Sequence, residues 1–138
     1  MWFVCDSLSP PASYIEKGMF MSERKLSDLI TGILGSIAHV RDYSSNLSID
    51  EFSSDSMRVE ACLYNVRIIG KAISKLPEDV KTANPQIPWI LLEKTKSKLI
   101  HDHNDTDIQL LWSLIKFELP SLVKKLEKLL ALLITQDV

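Results

Sequence analysis

The chain has 138 residues, a length that suits one domain with a core of ordinary size. Hydrophobic residues make up 46% and charged residues 25%, the balance of a globular protein, and a net charge of -2 excludes a chain that coats nucleic acid through overall basicity. No apolar run approaches the roughly 18 residues needed to cross a bilayer, so no membrane is expected as a partner. The 2 cysteines, Cys5 and Cys62, lack a metal-binding spacing. Cys62 falls in an apolar helical stripe and is expected to be a buried thiol, which suits a reducing cytoplasm.

The segment Met1–Phe20 opens Met-Trp-Phe-Val-Cys and contains Pro10-Pro11. It has no basic n-region and no long apolar h-region, so it does not read as a signal peptide. Met21-Ser22-Glu23-Arg24 looks like a more natural start. Residues 1–20 are therefore expected to be a disordered or loosely attached extension, ahead of one helical domain over 21–138.

Helical periodicity dominates from there. Leu26, Leu29, Ile30, Ile33, Leu34, Ile37 and Val40 recur at offsets of three and four, which predicts a helix capped by Ser22 and running to Tyr43. Ser44-Ser45-Asn46 ends it, and Leu47–Ser54 is expected to be a short helical turn capped by Ser48. Val59, Cys62, Leu63, Val66, Ile69 and Ile73 define a second long helix, closed by Pro77 because proline cannot continue it. Glu78–Ala83 adds one turn, and Asn84–Pro88 is a turn that sets Pro88 at the start of a third helix over Trp89–His101. Asp105 or Thr106 is expected to cap a fourth helix from Asp107. Pro120 either kinks that helix or begins a fifth, and Leu122, Leu126, Leu129 and Leu133 form a stripe beyond it. With no strand signal, the expected fold is all-α, an antiparallel four- to five-helix bundle that dimerises.

The chemistry concentrates in Lys96-Ser97-Lys98-Leu99-Ile100-His101-Asp102-His103. Lys96, His101 and His103 are side chains that bind phosphate or move protons on it. On one ideal helix Lys96 and His101 point about 140° apart, so a straight helix cannot aim both at one phosphate. Either the helix ends before His101 or two subunits share the site. Lys94, Lys98 and His101 share one face, and Lys96 and His103 the opposite one, which favours a composite site at a twofold interface. A metal held by His101-Asp102-His103 is disfavoured, because adjacent residues rarely close one coordination sphere. Trp89 and Trp112 read as core or interface aromatics, His39 as a residue at the core's edge, and Lys124, Lys125 and Lys128 as a solvated face.

Several pieces, in order and spacing, resemble the HepT-like branch of the HEPN superfamily from Met21 to Leu133. They are Asn65-Val66-Arg67-Ile68-Ile69-Gly70-Lys71-Ala72, Ile87-Pro88-Trp89, Lys98-Leu99-Ile100-His101-Asp102, Trp112 and Leu119-Pro120. The resemblance implies a dimeric helical bundle. It also implies a metal-independent endoribonuclease without cofactors, the toxin of a toxin–antitoxin pair whose antitoxin is a small nucleotidyltransferase. The branch's motif is an arginine, four to six residues, a histidine and, two positions on, a tyrosine that the partner can adenylylate. Here Lys96 stands at the arginine position, Ser97 at the following asparagine, and His103 at the tyrosine. Earlier, Tyr64 stands where the family often has arginine, and Lys71 where it has a second glutamate.

The roles this resemblance implies are specific. RNA is cut by its own 2′-hydroxyl, which requires a base, an acid and a cation at the phosphate. His101 supplies base or acid, Lys96 the cation, and His103 a second proton-transfer group. Lys94, Lys98 and Ser97 are substrate-binding candidates, while Asp102 and Asn65 are supporting ones. Lysine lacks the planar fork with which arginine grips two phosphate oxygens, so attenuated cleavage is expected. The alternative expectation is an inactive binding module of the same fold, dimeric and paired with the nucleotidyltransferase.

Overall fold

In a computed structural model, residues 22–90, 92–93, 100–102 and 105–136 are described. The extension expected at 1–20 lies outside them. Helix α1 spans Glu23–Ser44, and its start is fixed by Ser22, whose Oγ accepts the Lys25 amide at 3.1 Å. Leu26, Ile30, Ile33, Ile37 and Val40 form its buried stripe. The helix stops at a turn in which Asn46 takes φ 61°, a left-handed conformation that asparagine tolerates better than most residues. Helix α2, Ile49–Ser54, begins with a reciprocal cap: the Glu51 amide donates to Ser48 Oγ at 3.1 Å, and the Ser48 amide donates to Glu51 Oε1 at 2.9 Å. This short helix carries Phe52 into the core, 5.2 Å from the Trp112 ring.

Helix α3, Ser56–Lys75, returns antiparallel to α1. Asp55 caps it, and Arg58 donates at 2.9 Å to the Tyr43 carbonyl at the end of α1. One turn along, Cys62 Sγ lies 3.9 Å from the Val40 carbonyl oxygen. Val59, Cys62, Leu63, Val66, Ile69 and Ile73 are all buried against α1, as their spacing predicts. Pro77 precedes α4, Glu78–Ala83. After Pro88, residues 89–90 and 92–93 are helical.

Two expectations are corrected beyond that point. The helix predicted over Trp89–His101 does not reach His101, because Ile100–Asp102 is a strand, β1, paired antiparallel with β2, Asp105–Thr106. The sequence reading also expected no strand. β-Branched Ile100 and Thr106, paired across this ribbon, suit the extended backbone that was missed. Helix α5, Ile108–Ser113, is capped by Asp107 and not by Asp105 or Thr106, the expected alternatives two and one residues earlier.

The chain then continues without a break through a π-helical segment, Leu114–Glu118, into α6, Leu119–Gln136. Pro120 explains the widening. It has no N–H to donate, and its ring crowds the carbonyl four residues back, that of Lys116. A five-residue bond, Leu119 N–H to Leu114 O, opens the turn and lets the helix pass the proline. Pro120 therefore does not start a separate helix.

The architecture is an all-α bundle with α1 in the middle, packed on α3 along one side and on α6 and the π-helical segment along another. The α6 stripe of Leu122, Leu126, Leu129 and Leu133 is buried against it. Among the described residues no helix is long and apolar enough to cross a membrane.

Candidate functional site

Of the residues singled out for chemistry, His101 and Asp102 have a described backbone, both in β1. Lys94, Lys96, Ser97, Lys98 and His103 lie outside the described residues. The pairing of β1 is irregular: Ile100 faces Thr106 and Asp102 faces Asp105, so two steps on β1 oppose one on β2. His101 is the extra residue, at the apex of a β-bulge. A bulge leaves its residue outside the regular ladder and bends the strand, a device found often beside active sites.

This backbone changes the geometry of the motif. A helix advances about 1.5 Å and turns 100° per residue, whereas a strand advances more than 3 Å. Because residues 100–102 are extended, the 140° separation computed for Lys96 and His101 on one helix does not hold. Of the two solutions the sequence allowed, the helix ends before His101. That removes the geometric obstacle that favoured a site shared by two subunits.

Both ends of the segment are anchored to the bundle. Upstream, Trp89 is buried, and its indole N–H donates to the carbonyls of Lys81 and Asn84. Lys81 in turn reaches Glu93 Oε1 at 2.9 Å, tying α4 to the helical residues that lead into the motif. Downstream, the Asp107 carboxylate accepts the Leu110 amide at 3.0 Å and fixes where the ribbon gives way to α5.

The supporting candidate Asn65 is buried on α3, and its Nδ2 donates at 2.9 Å to Ala61 O of its own helix. Trp112 is half-buried beside Phe52, as expected of a core aromatic. His39 is exposed and stacks on Tyr43, with ring centroids 6.1 Å apart, so it stands outside the core rather than at its edge. Lys124 and Lys128 are exposed, whereas Lys125 is half-buried and donates to the Gln86 carbonyl at 3.0 Å. Among the described residues no group of three His, Cys, Asp or Glu side chains converges.

The sequence reading passed over a small cavity of about 140 Å³ between the end of α1 and the π-helical segment. Ile37, Val40, Ile115 and Leu119 line it, with Arg41 and Lys116 among its polar residues. Lys116 Nζ is 4.5 Å over the Trp112 ring and 3.4 Å from Ser44 O. Pro120, a proline inside an apolar helical stripe, was its one signal in the sequence.

Comparison with known proteins is consistent over most of the chain. The family described as "Ribonuclease HepT-like" matches residues 33–129. "Probable ribonuclease HepT" of Thermococcus cleftensis is 31% identical over 107 residues, which is 78% of this chain and 97% of that protein. "Putative RNase MJ0127" of Methanocaldococcus jannaschii is 26% identical over 110 residues, 80% of this chain and 91% of that protein. A second protein of that archaeon, "Putative RNase MJ1216", is 27% identical over the same length. No solved structure matches the chain.

Proposed function

Because the chain belongs to the ribonuclease HepT-like family, we propose that it is a metal-independent endoribonuclease, the attenuated toxin of a toxin–antitoxin pair. The observation that carries the reading is the family match over residues 33–129, which spans the whole motif from Lys94 to His103. In the mechanism, His101 withdraws the proton of a ribose 2′-hydroxyl, and the freed oxygen attacks the adjacent phosphorus. Lys96 neutralises the charge that builds on the phosphate oxygens. His103 protonates the leaving 5′-oxygen, so the products are a 2′,3′-cyclic phosphate and a free 5′-hydroxyl. Lys94, Ser97 and Lys98 hold the flanking phosphates, and Asp102 orients an imidazole. The bulge at His101 supports this assignment, since it frees the histidine's backbone from the helical register that opposed Lys96.

The working form is a homodimer in the cytoplasm, held in check by a nucleotidyltransferase antitoxin. The resemblance implies a dimer, and the exposed Phe117 and Leu132 of the π-helical segment and α6 are apolar side chains that a second copy would cover. A second reading, an inactive binding module for the same antitoxin, is favoured by Lys96, Ser97 and His103 standing at the family's arginine, asparagine and tyrosine positions. Induced expression of the chain alone separates the two. An endoribonuclease slows growth and fragments cellular RNA, and His101→Ala prevents both. A binding module leaves growth and RNA unchanged.

A further inference from the structure

The outer face of α3 is basic in a chain whose net charge is -2. The helix carries Arg58, Arg67, Lys71 and Lys75 against one carboxylate, Glu60. Arg67, Lys71 and Lys75 are exposed and follow one another at offsets of four, so they form a row with neighbours about 6 Å apart along the axis. Three residues before Arg67 on the same face is Tyr64, 62% exposed. Among the described residues the ion pairs are Arg58 with Asp55 and Lys81 with Glu78 and Glu93, so none of the row is neutralised there. The antiparallel packing also brings the first turn of α1, with exposed Arg24 and Lys25, to the same end of the bundle as Lys75. Glu60, one turn before Tyr64, bounds the row at its other end.

We propose that Tyr64, Arg67, Lys71 and Lys75 form a track for single-stranded RNA, with a base stacked on Tyr64 and consecutive phosphates on the three cations. The inference rests on the ribonuclease reading for its substrate class and adds the surface that holds the strand. Exposed cations at one-turn intervals suit a flexible polyanion better than a folded acidic protein, whose carboxylates rarely stand in single file. An exposed aromatic at the head of the row suits a base, because every base offers a π-face. Tyr64, Arg67, Lys71 and Lys75 all precede the Lys94–His103 segment in the chain, so the track is separate in sequence from the candidate catalytic residues.

The test measures binding of a fluorescein-labelled single-stranded RNA oligonucleotide to the full chain over a salt series. A His101→Ala background keeps the RNA intact, and a polyglutamate peptide serves as competitor. Neutralising the row as Arg67→Gln, Lys71→Gln and Lys75→Gln is expected to lower the salt slope by about two, at roughly 0.7 per single-strand phosphate. Tyr64→Ala should weaken binding roughly tenfold while Tyr64→Phe retains it, as stacking requires. These side chains are exposed, so melting temperature and mass should not change; if the triple variant fails to fold, Lys71→Gln alone should lower the slope by about 0.7. An unchanged slope overturns the track, as does displacement of the RNA by polyglutamate at equal charge concentration. Cleavage by the parent chain is scored separately. If the parent cuts RNA but the slope is unmoved, the track fails and the ribonuclease reading stands. If the slope falls but the parent never cuts, the ribonuclease reading fails and the track stands.

Discussion

The indole N–H of Trp89 is shared between two carbonyl oxygens, those of Lys81 and Asn84, each at 3.1 Å. Both carbonyls lie at the C-terminal end of α4, and each also accepts a backbone amide, Lys81 O from Asn84 and Asn84 O from Ile87, both at 3.2 Å. The tryptophan therefore closes α4 and pins the turn from which the motif segment departs. Trp89→Phe keeps most of the buried ring and removes the second donor from each carbonyl, leaving the backbone bonds in place. It is expected to destabilise the protein by about 1–2 kcal/mol in denaturant titrations, with the slope of the transition unchanged. A variant as stable as the parent would show that water replaces the indole at no loss.

The long elements were legible because their signals are redundant. In α1 and α3, apolar spacing, caps and a terminating turn or proline agree with one another, and the buried residues are the ones the stripe predicts. The strand at Ile100 was not legible because Leu99 and Ile100 extend the apolar pattern that starts at Trp89, and no glycine or proline interrupts it. Ile100 and Thr106 bracketing His103-Asn104 were a weak hairpin signal. The π-helical segment had only Pro120 to announce it, and a proline within a stripe is equally consistent with a break. Of the candidate site, the sequence supplied the residue types but not the extended backbone at His101. The cationic row on α3 was hidden by the chain's negative net charge.

Asp107 provides a second structural test, because it joins the ribbon to α5. Its carboxylate is the side-chain acceptor for the Leu110 amide. Removing it by Asp107→Ala should lower stability by about 1 kcal/mol, while Asp107→Asn or Asp107→Ser should recover most of the loss. Chemical denaturation of the three variants checks the order. Equal stability of all three would mean that the cap contributes nothing to the junction.

Cys62 makes the stability of the fold depend on pH. Burial pushes its thiol from the ordinary 9.0 up to about 11, while the nearby Arg58 charge pulls the other way. The folded state thus holds the proton where the unfolded chain releases it. The stabilisation is fully present below pH 9, and it is lost as the pH rises from there through about 11. Over that window stability should fall by as much as 1.4 kcal/mol per pH unit, and Cys62→Ala should flatten this slope. In a Cys5→Ser background, a thiol reagent at pH 8 should react slowly with the native chain and fast once it unfolds. Rapid labelling of the native form would contradict a buried, protonated Cys62.

The last prediction tests the mechanism at its cation. If Lys96 stabilises the phosphate, Lys96→Arg should raise RNA cleavage, since a guanidinium binds two oxygens at once where an ammonium binds as a point charge. His101→Ala should reduce cleavage by a factor of about a hundred to ten thousand in either background, the usual effect of losing one proton-transfer group. The two substitutions also differ in pH behaviour. Lys96→Arg should leave the pH profile of cleavage in place, because it exchanges one cation for another, whereas the limb assigned to His101 should vanish with His101→Ala. Cleavage by purified protein in the presence of a chelator, with products separated by end group, reads all three. Lys96→Arg chains that fold and dimerise yet still cannot cut RNA would end the catalytic reading and leave the binding module.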